Sequence, residues 1–248
     1  MILKALSYNI RYGGLGRENS LAAVIRQAAP DLVVFQEAVS PRVIERLAAE
    51  TGMSVWASRP GQSLGFMSRI EIAHYEWHQP RGARHPFLEV VPAGTEFRIF
   101  GLHLSAVHSS WTERRRIREI GALLEGIKRH QEGFHALVGD FNTLAPGETL
   151  DGRLLPARLR ALLWLGGAIQ WQTIQTLLNA GYVDGYRRLH PLKKGFTFPT
   201  YAPHVRLDYI FLPSAFADRL KDCEVIQGSA EALPASDHFP LLAQLEIL

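Results

Sequence analysis

The sequence predicts an α/β fold in which helices flank two β-sheets. Three observations carry this reading. Short apolar runs of strand length alternate with stretches of helical periodicity along the chain. Pro and Gly punctuate a long β-rich stretch as hairpin loops would. No period of roughly 20 to 50 residues, low-complexity tract or composition break interrupts the 248 residues, so a solenoid or a linker-joined pair is disfavoured and one domain over 1–248 is expected.

Leu3 to Ile10 alternates apolar and polar positions and reads as a strand. Asn19 or Ser20 can cap a helix reaching Ala29, where Pro30-Asp31 breaks it before the buried strand Leu32 to Phe35. Pro41 to Thr51 reads as a second helix with Gly52 as its C-terminal cap. Val55 to Leu104 is β-rich, with runs at Leu64 to Met67, Ile70 to Trp77, Phe87 to Val91 and Phe97 to Leu104. Thr112 to His130 predicts a long helix capped by Thr112, its apolar positions Ile117, Ile120, Leu124 and Ile127 recurring at helical spacing. Phe134 to Val138 is a buried strand, and a helical insertion is expected near 146–180, broken at Gly166-Gly167 and closed by Gly181. Phe196 to Phe198, Arg206 to Leu212, Glu224 to Ile226 and Leu241 to Ile247 complete the strands.

Composition narrows the class. Hydrophobic residues make up 47% and charged residues 21%, which excludes wholesale disorder. A formal net charge of +3 suits a phosphate-bearing partner without arguing for one. The single cysteine, Cys223, excludes an intrachain disulfide and a cysteine-rich zinc site. No signal peptide is visible, and the longest uncharged apolar stretch, Ala161 to Ile169, is shorter than the roughly 20 residues a membrane span needs. A cytoplasmic, monomeric protein with no inferable protein partner is the expectation.

The informative feature is polar residues at the ends of apolar strands. Asn9 follows Leu6-Ser7-Tyr8, Gln36-Glu37 follows Phe35, His103 lies in Ile99 to Leu104, and Asp140 and Asn142 follow Val138-Gly139. Asp208 sits within Arg206 to Ile210, and Asp237-His238 opens the last strand. Singly, each is an ordinary turn, cap or core residue. Together they offer two hard carboxylate ligands, Glu37 and Asp237, and an amide oxygen at Asn9, a set that favours Mg²⁺ or Mn²⁺ over zinc. Asp140 and Asn142 are two apart, so in extended chain they face the same way.

The segments Ser7-Tyr8-Asn9-Ile10, Phe35-Gln36-Glu37, Gly101-Leu102-His103-Leu104, Gly139-Asp140-Phe141-Asn142, Arg206-Leu207-Asp208-Tyr209-Ile210 and Ser236-Asp237-His238 resemble, in order, the motifs of the endonuclease/exonuclease/phosphatase superfamily. Gly65-Phe66-Met67-Ser68-Arg69 also resembles the strand between the family's glutamate and first histidine motifs. Each motif alone is weak, but six in order span nearly the whole chain. The resemblance implies a four-layered αββα sandwich of two mixed sheets and a Mg²⁺- or Mn²⁺-dependent phosphoester hydrolase. Its substrate would be nucleic acid or a nucleotide, or alternatively a phospholipid or small phosphorylated metabolite. A catalytically dead binding module is the least favoured alternative, since all six motifs keep their acids and histidines.

The resemblance also implies roles. Glu37 is the main metal ligand, supported by Asn9, with Asp237 in the metal environment or at a second metal site. Asp140 orients or deprotonates the attacking water. Asn142 and His103 hydrogen-bond the scissile phosphate. His238 stabilises the transition state or acts as base, and Asp208 holds its imidazole.

Arg206 and His204 are expected at the site rim, Arg206 as a substrate contact. Glu71, Glu76 and Glu89 are the candidates for a carboxylate holding His103. The basic stretch Arg114-Arg115-Arg116-Ile117-Arg118 reads as the solvated face of a helix, with a nucleic-acid backbone as the functional alternative. Arg187, Arg188, Lys193 and Lys194 form a second basic cluster. Trp164 and Trp171 in the insertion read as packing on the sandwich edge, with a lipid interface as the alternative.

Overall fold

The computed structural model describes residues 1–106, 109–149, 170–227 and 230–248. Two six-stranded mixed sheets stack face to face. The first contains β1 (Ile2–Asn9), β2 (Leu32–Gln36), β3 (Val55–Ser58), β4 (Gly65–Ser68), β11 (Leu220–Val225) and β12 (Leu241–Glu246), in the order β11-β12-β1-β2-β4-β3. The second contains β5 (Ile72–His78), β6 (Phe87–Pro92), β7 (Arg98–His103), β8 (His135–Asp140), β9 (Tyr182–Asp184) and β10 (Asp208–Pro213), in the order β5-β6-β7-β8-β10-β9. Helices α1 (Glu18–Ala28) and α2 (Pro41–Thr51) belong to the first sheet; α3 (Ser110–Gly126) and α4 (Gln172–Asn179) belong to the second.

Alternation along the strands builds these layers. Leu3, Ala5, Leu32, Val34 and Phe66 meet Val90, Ile99, Ala136, Val138 and Ile210 between the sheets. The intervening positions Leu6, Tyr8, Val33 and Phe35 face Leu21, Ile25, Ile44 and Leu47 of α1 and α2. Phe100, Leu102, Leu137 and Phe211 face Ile120 and Leu123 of α3 and Ile174 and Leu177 of α4. Strands buried on both faces read as continuous apolar runs, as seen in the sequence.

Several boundaries differ from expectation for local reasons. Ser109, not Thr112, caps α3: its hydroxyl accepts from Thr112 N, and the Thr112 side chain reaches back to the cap. Phe196 to Phe198 forms only an isolated bridge, Phe198 to Val205. The short strand β9 and the turn helix Gly185–Leu189 carry too few residues for a periodic signal. Of the insertion expected near 146–180, residues 150–169 lie outside the described residues, and with them Trp164 and the run 161–169. Its end is α4, which docks on α3 through Thr173 N donating to Glu113 Oε1 at 2.7 Å. No helix among the described residues is long and apolar enough to cross a membrane.

Gly139 shows why glycine precedes Asp140. Its φ is +149°, and a Cβ there would lie 2.0 Å from the Leu102 carbonyl oxygen of the neighbouring strand. Gly139→Ala should therefore cost roughly 2–6 kcal/mol, combining backbone strain with overpacking, read by denaturant unfolding.

His135, at the start of β8, is buried between Gly133 O (2.8 Å) and the Tyr182 hydroxyl (2.7 Å). Burial pushes its pKa below the ordinary value. The unfolded chain takes up a proton near pH 6.5 that the folded chain refuses. This contribution is intact above about pH 6.5 and is lost as pH falls towards the folded value. Thermal melts at about pH 7.5 and pH 5 should show a smaller drop in Tm for His135→Gln than for the unsubstituted chain.

Candidate active site

Strand direction gathers the polar residues at one edge of both sheets. β1 runs parallel to β2, and β7 parallel to β8, so Asn9, Gln36, His103 and Asp140 stand at neighbouring carboxyl ends. β10 is antiparallel to β8, and β12 to β1, so Asp208 and the segment before Leu241 enter from that same edge. Register does the rest: Asp140 is paired directly with His103 on one side and with Asp208 on the other.

Asp140 Oδ2 is the hub. Asn9 Nδ2 donates to it at 3.0 Å, His103 Nε2 lies 3.8 Å away, and His238 Nε2 3.9 Å away. Asn9 Nδ2 also reaches Glu37 Oε1 at 3.4 Å. Behind His238, its Nδ1 meets Asp208 Oδ2 at 2.9 Å. The Ser236 hydroxyl donates to Asn9 O at 2.7 Å and tethers the His238 segment to β1. The structure therefore brings together Asn9, Glu37, His103, Asp140, Asp208 and His238. Asp237 lies at the outer margin, pairing with Arg11 Nε at 3.3 Å.

Burial sets the protonation states. Burial opposes the His238 imidazolium, but the Asp208 and Asp140 carboxylates outweigh it and lift its pKa to about 10. Burial, with repulsion from Asp208, pushes the Asp140 carboxyl up against the attraction of His238. His103 moves the other way, to about 3, through burial and the neighbouring His85 and His238. It is thus a neutral ring, and its Nδ1 meets the Ser63 hydroxyl at 2.5 Å while that hydroxyl accepts from Glu37 N. With Nε2 turned towards the Asp140 carboxylate, the imidazole hydrogen is assigned to Nε2 and the Ser63 hydroxyl donates to Nδ1.

Backbone conformation marks the same place. Five non-glycine residues have positive φ among the described residues: Arg11, Tyr12, Ala29, Glu37 and Asn142. Ala29 caps α1, and the other four lie in the loops around Asp140. Left-handed conformations at such residues cost of order 1–3 kcal/mol and collect at functional sites.

Five expectations are corrected. The chain is not extended from Asp140 to Asn142, because Asn142 turns at φ 53°. Its backbone N–H folds back onto Asp140 Oδ1 at 2.9 Å, while its Nδ2 donates to Leu104 O at 3.0 Å. Arg206 is not on the rim. Its guanidinium is enclosed over the Tyr209 ring and bonded to both Asp184 oxygens and to Glu148 Oε1, so it has no surface to offer a substrate. His204 is also buried, its Nδ1 on Ala202 O. His103 is held by Ser63 rather than by Glu71, Glu76 or Glu89; Glu89 is committed to His78 and Arg98. Finally, Asn9 turns its amide nitrogen, not its oxygen, towards the acids, while Oδ1 accepts from Arg11 N.

Sequence reasoning missed Ser63 and His85. The His85 ring stacks on His103 with centroids 5.2 Å apart and planes 4° from parallel. Neither residue sits in a strand-end pattern, so no sequence signal pointed to them.

The donor set suits a divalent cation. Glu37 Oε1 and Asp140 Oδ2 converge on one neutral amide group, and burial, with repulsion from Asp208, holds Asp140 above its ordinary pKa despite the attraction of His238. Hard oxygens in this arrangement match Mg²⁺ or Mn²⁺.

Comparison with known proteins agrees with this geometry. The profile described as "Endonuclease/Exonuclease/phosphatase family" matches residues 6–238. Among solved structures, an AP endonuclease from Archaeoglobus fulgidus superposes with a TM-score of 0.73 at 17% identity, covering 99% of this chain and 100% of the other. The 3'-5' exonuclease NExo from Neisseria meningitidis gives 0.72 at 20% identity, covering 98% and 100%. D. rerio TDP2 complexed with a single strand DNA product gives 0.67 at 19%, covering 98% of each chain. These likenesses establish the DNase I-like fold. No curated protein matches the sequence.

Proposed function

Because the chain belongs to the endonuclease/exonuclease/phosphatase family, we propose that it is a divalent-metal-dependent phosphoester hydrolase that cleaves a phosphodiester of nucleic acid or a nucleotide by in-line attack of water. The single observation carrying this reading is the Asp140 hub, where an amide and two imidazoles from three other chain segments meet one carboxylate oxygen within 3.9 Å. The DNA hairpin product bound by NExo and the single strand DNA product bound by D. rerio TDP2 favour the diester over a lipid or metabolite phosphate.

Glu37, with Asp237 at the margin and Asn9 once its amide turns its oxygen inward, would hold Mg²⁺ or Mn²⁺. When bound, the cation supplies charge neutralisation at the phosphate and the leaving oxygen. Asp140, lifted towards neutrality by burial, orients the water and accepts its proton. His103, neutral with hydrogen on Nε2, donates to a non-bridging oxygen. Asn142 adds the amide N–H that Leu104 O leaves unused. His238, kept cationic by Asp208, faces the negative charge that grows as the water attacks.

The test is turnover of bis-p-nitrophenyl phosphate and of an end-labelled oligonucleotide with Mg²⁺ or Mn²⁺. Hydrolysis should be abolished by EDTA, restored by either ion and absent from His238→Ala. Folded, metal-supplied protein that turns over neither substrate would refute the reading.

A further inference from the structure

Helix α3 has two unlike faces. Its inner face is bolted to the site: Arg116, fully buried, donates to Ser105 O at 2.8 Å and to Glu113; Glu119 accepts from Ser105 N and Oγ; Glu113 accepts from the Thr143 hydroxyl at 3.1 Å. Ser105 lies two residues beyond His103, and Thr143 follows Asn142. The first turns of α3 are thus fixed to both loops that carry the phosphate-facing donors.

The outer face carries Trp111, Arg114, Arg115 and Arg118, all exposed. The spacing i, i+3, i+4, i+7 makes them one stripe. Trp111 is 81% exposed, and among the described residues it makes no aromatic contact. Arg114, Arg115 and Arg118 make no ion pair among the described residues; Arg118 only touches the Arg114 carbonyl of its own helix. The basic stretch is therefore split, with Arg116 turned inward and the aromatic that accompanies the remaining three placed one turn ahead of them.

We propose that this stripe is a track for single-stranded nucleic acid, in which Trp111 stacks on a base next to the scissile phosphate and Arg114, Arg115 and Arg118 hold the phosphates beyond it; the proposal rests on the hydrolase reading above and assigns the strand form of its substrate. Trp111 and Arg118 are separated by about 10 Å along the helix axis at 1.5 Å per residue. That length lets neighbouring phosphates of one strand lie along the stripe. An indole face can pair only with an unstacked base, which a single strand offers and an intact duplex does not. An anionic membrane is the poorer fit. Insertion requires an apolar helix face, and that of α3, with Ile120 and Leu123, is buried in the core.

Binding of a fluorescein-labelled 12-nucleotide single strand, followed by anisotropy in EDTA so that nothing is cleaved, tests the track. Trp111→Ala should weaken binding about 5- to 100-fold. Trp111→Phe should keep most of it. Replacing Arg114, Arg115 and Arg118 together with Gln should lower the slope of log affinity against log salt by about 2. Turnover of bis-p-nitrophenyl phosphate should be unchanged in all these variants. Single-strand affinity that is unaltered in Trp111→Ala and in the triple variant overturns the proposal while leaving the hydrolase reading intact. So does Trp111-dependent binding to phosphatidylserine vesicles without binding to the strand. Loss of small-diester turnover in Trp111→Ala would assign the residue a structural part instead and equally overturn the track. Absence of small-diester turnover in the unsubstituted protein would sink the hydrolase reading alone, because strand binding is measured without catalysis.

Discussion

Asp140→Asn should lower turnover about 10³- to 10⁴-fold, in the range a lost proton acceptor costs, while leaving Tm unchanged or higher. The two halves of this result have one cause. Burial and the Asp208 charge both disfavour the ionised Asp140 carboxylate, so folding works against the form that chemistry needs. A neutral amide of the same shape relieves that conflict: its oxygen can still accept from Asn142 N, and its Nδ2 can donate to Asn9 once that amide turns over. Active groups held at an energetic disadvantage are the usual origin of a stability–activity trade-off. Steady-state kinetics on a small diester, paired with calorimetry, checks both halves. A large fall in Tm would show that Asp140 is chiefly a structural partner.

Arg206→Met should destabilise the protein by about 3–5 kcal/mol, the range found when one partner of a buried ion pair is removed. Asp184 would lose the guanidinium that pairs both its oxygens, and Glu148 would keep only Arg187 as a cation. Arg206→Lys should not rescue, since one ammonium cannot reproduce contacts made through three guanidinium nitrogens. The molecules that still fold should retain near-normal KM on a small diester, because this side chain does not reach the substrate. Denaturant unfolding and kinetics together distinguish this from a direct part in binding.

How much of this was legible in the sequence follows from the physics of each element. Strands buried on both faces announce themselves as apolar runs, so Leu32–Gln36 and His135–Asp140 were found to within a few residues. Polar residues at their tips stood out because nothing in a strand calls for them, and Asn9, Glu37, His103, Asp140, Asp208 and His238 do converge. What could not be read were features made by distant chain. Ser63 holds His103 across 40 residues. Arg206 meets Glu148 across 58, and a lone arginine beside an aspartate motif carries no mark of burial. The turn at Asn142 was hidden because a left-handed residue looks like any other until its φ is known. The split of Arg114 to Arg118 was foreshadowed by helical periodicity, since a charged run longer than one turn must place some member on the inner side.

The seam between the sheets has a consequence for how this protein fails. Asn9 and Asp140 are joined across that seam by a single hydrogen bond, and each is anchored in a central strand of its own sheet. Fraying of an edge strand such as β3 or β9 leaves that junction whole, whereas sliding one sheet over the other breaks it at once. Enzymatic competence should therefore disappear in the same denaturant range as global cooperativity, and amides of β1 and β8 should be among the last to exchange with deuterium.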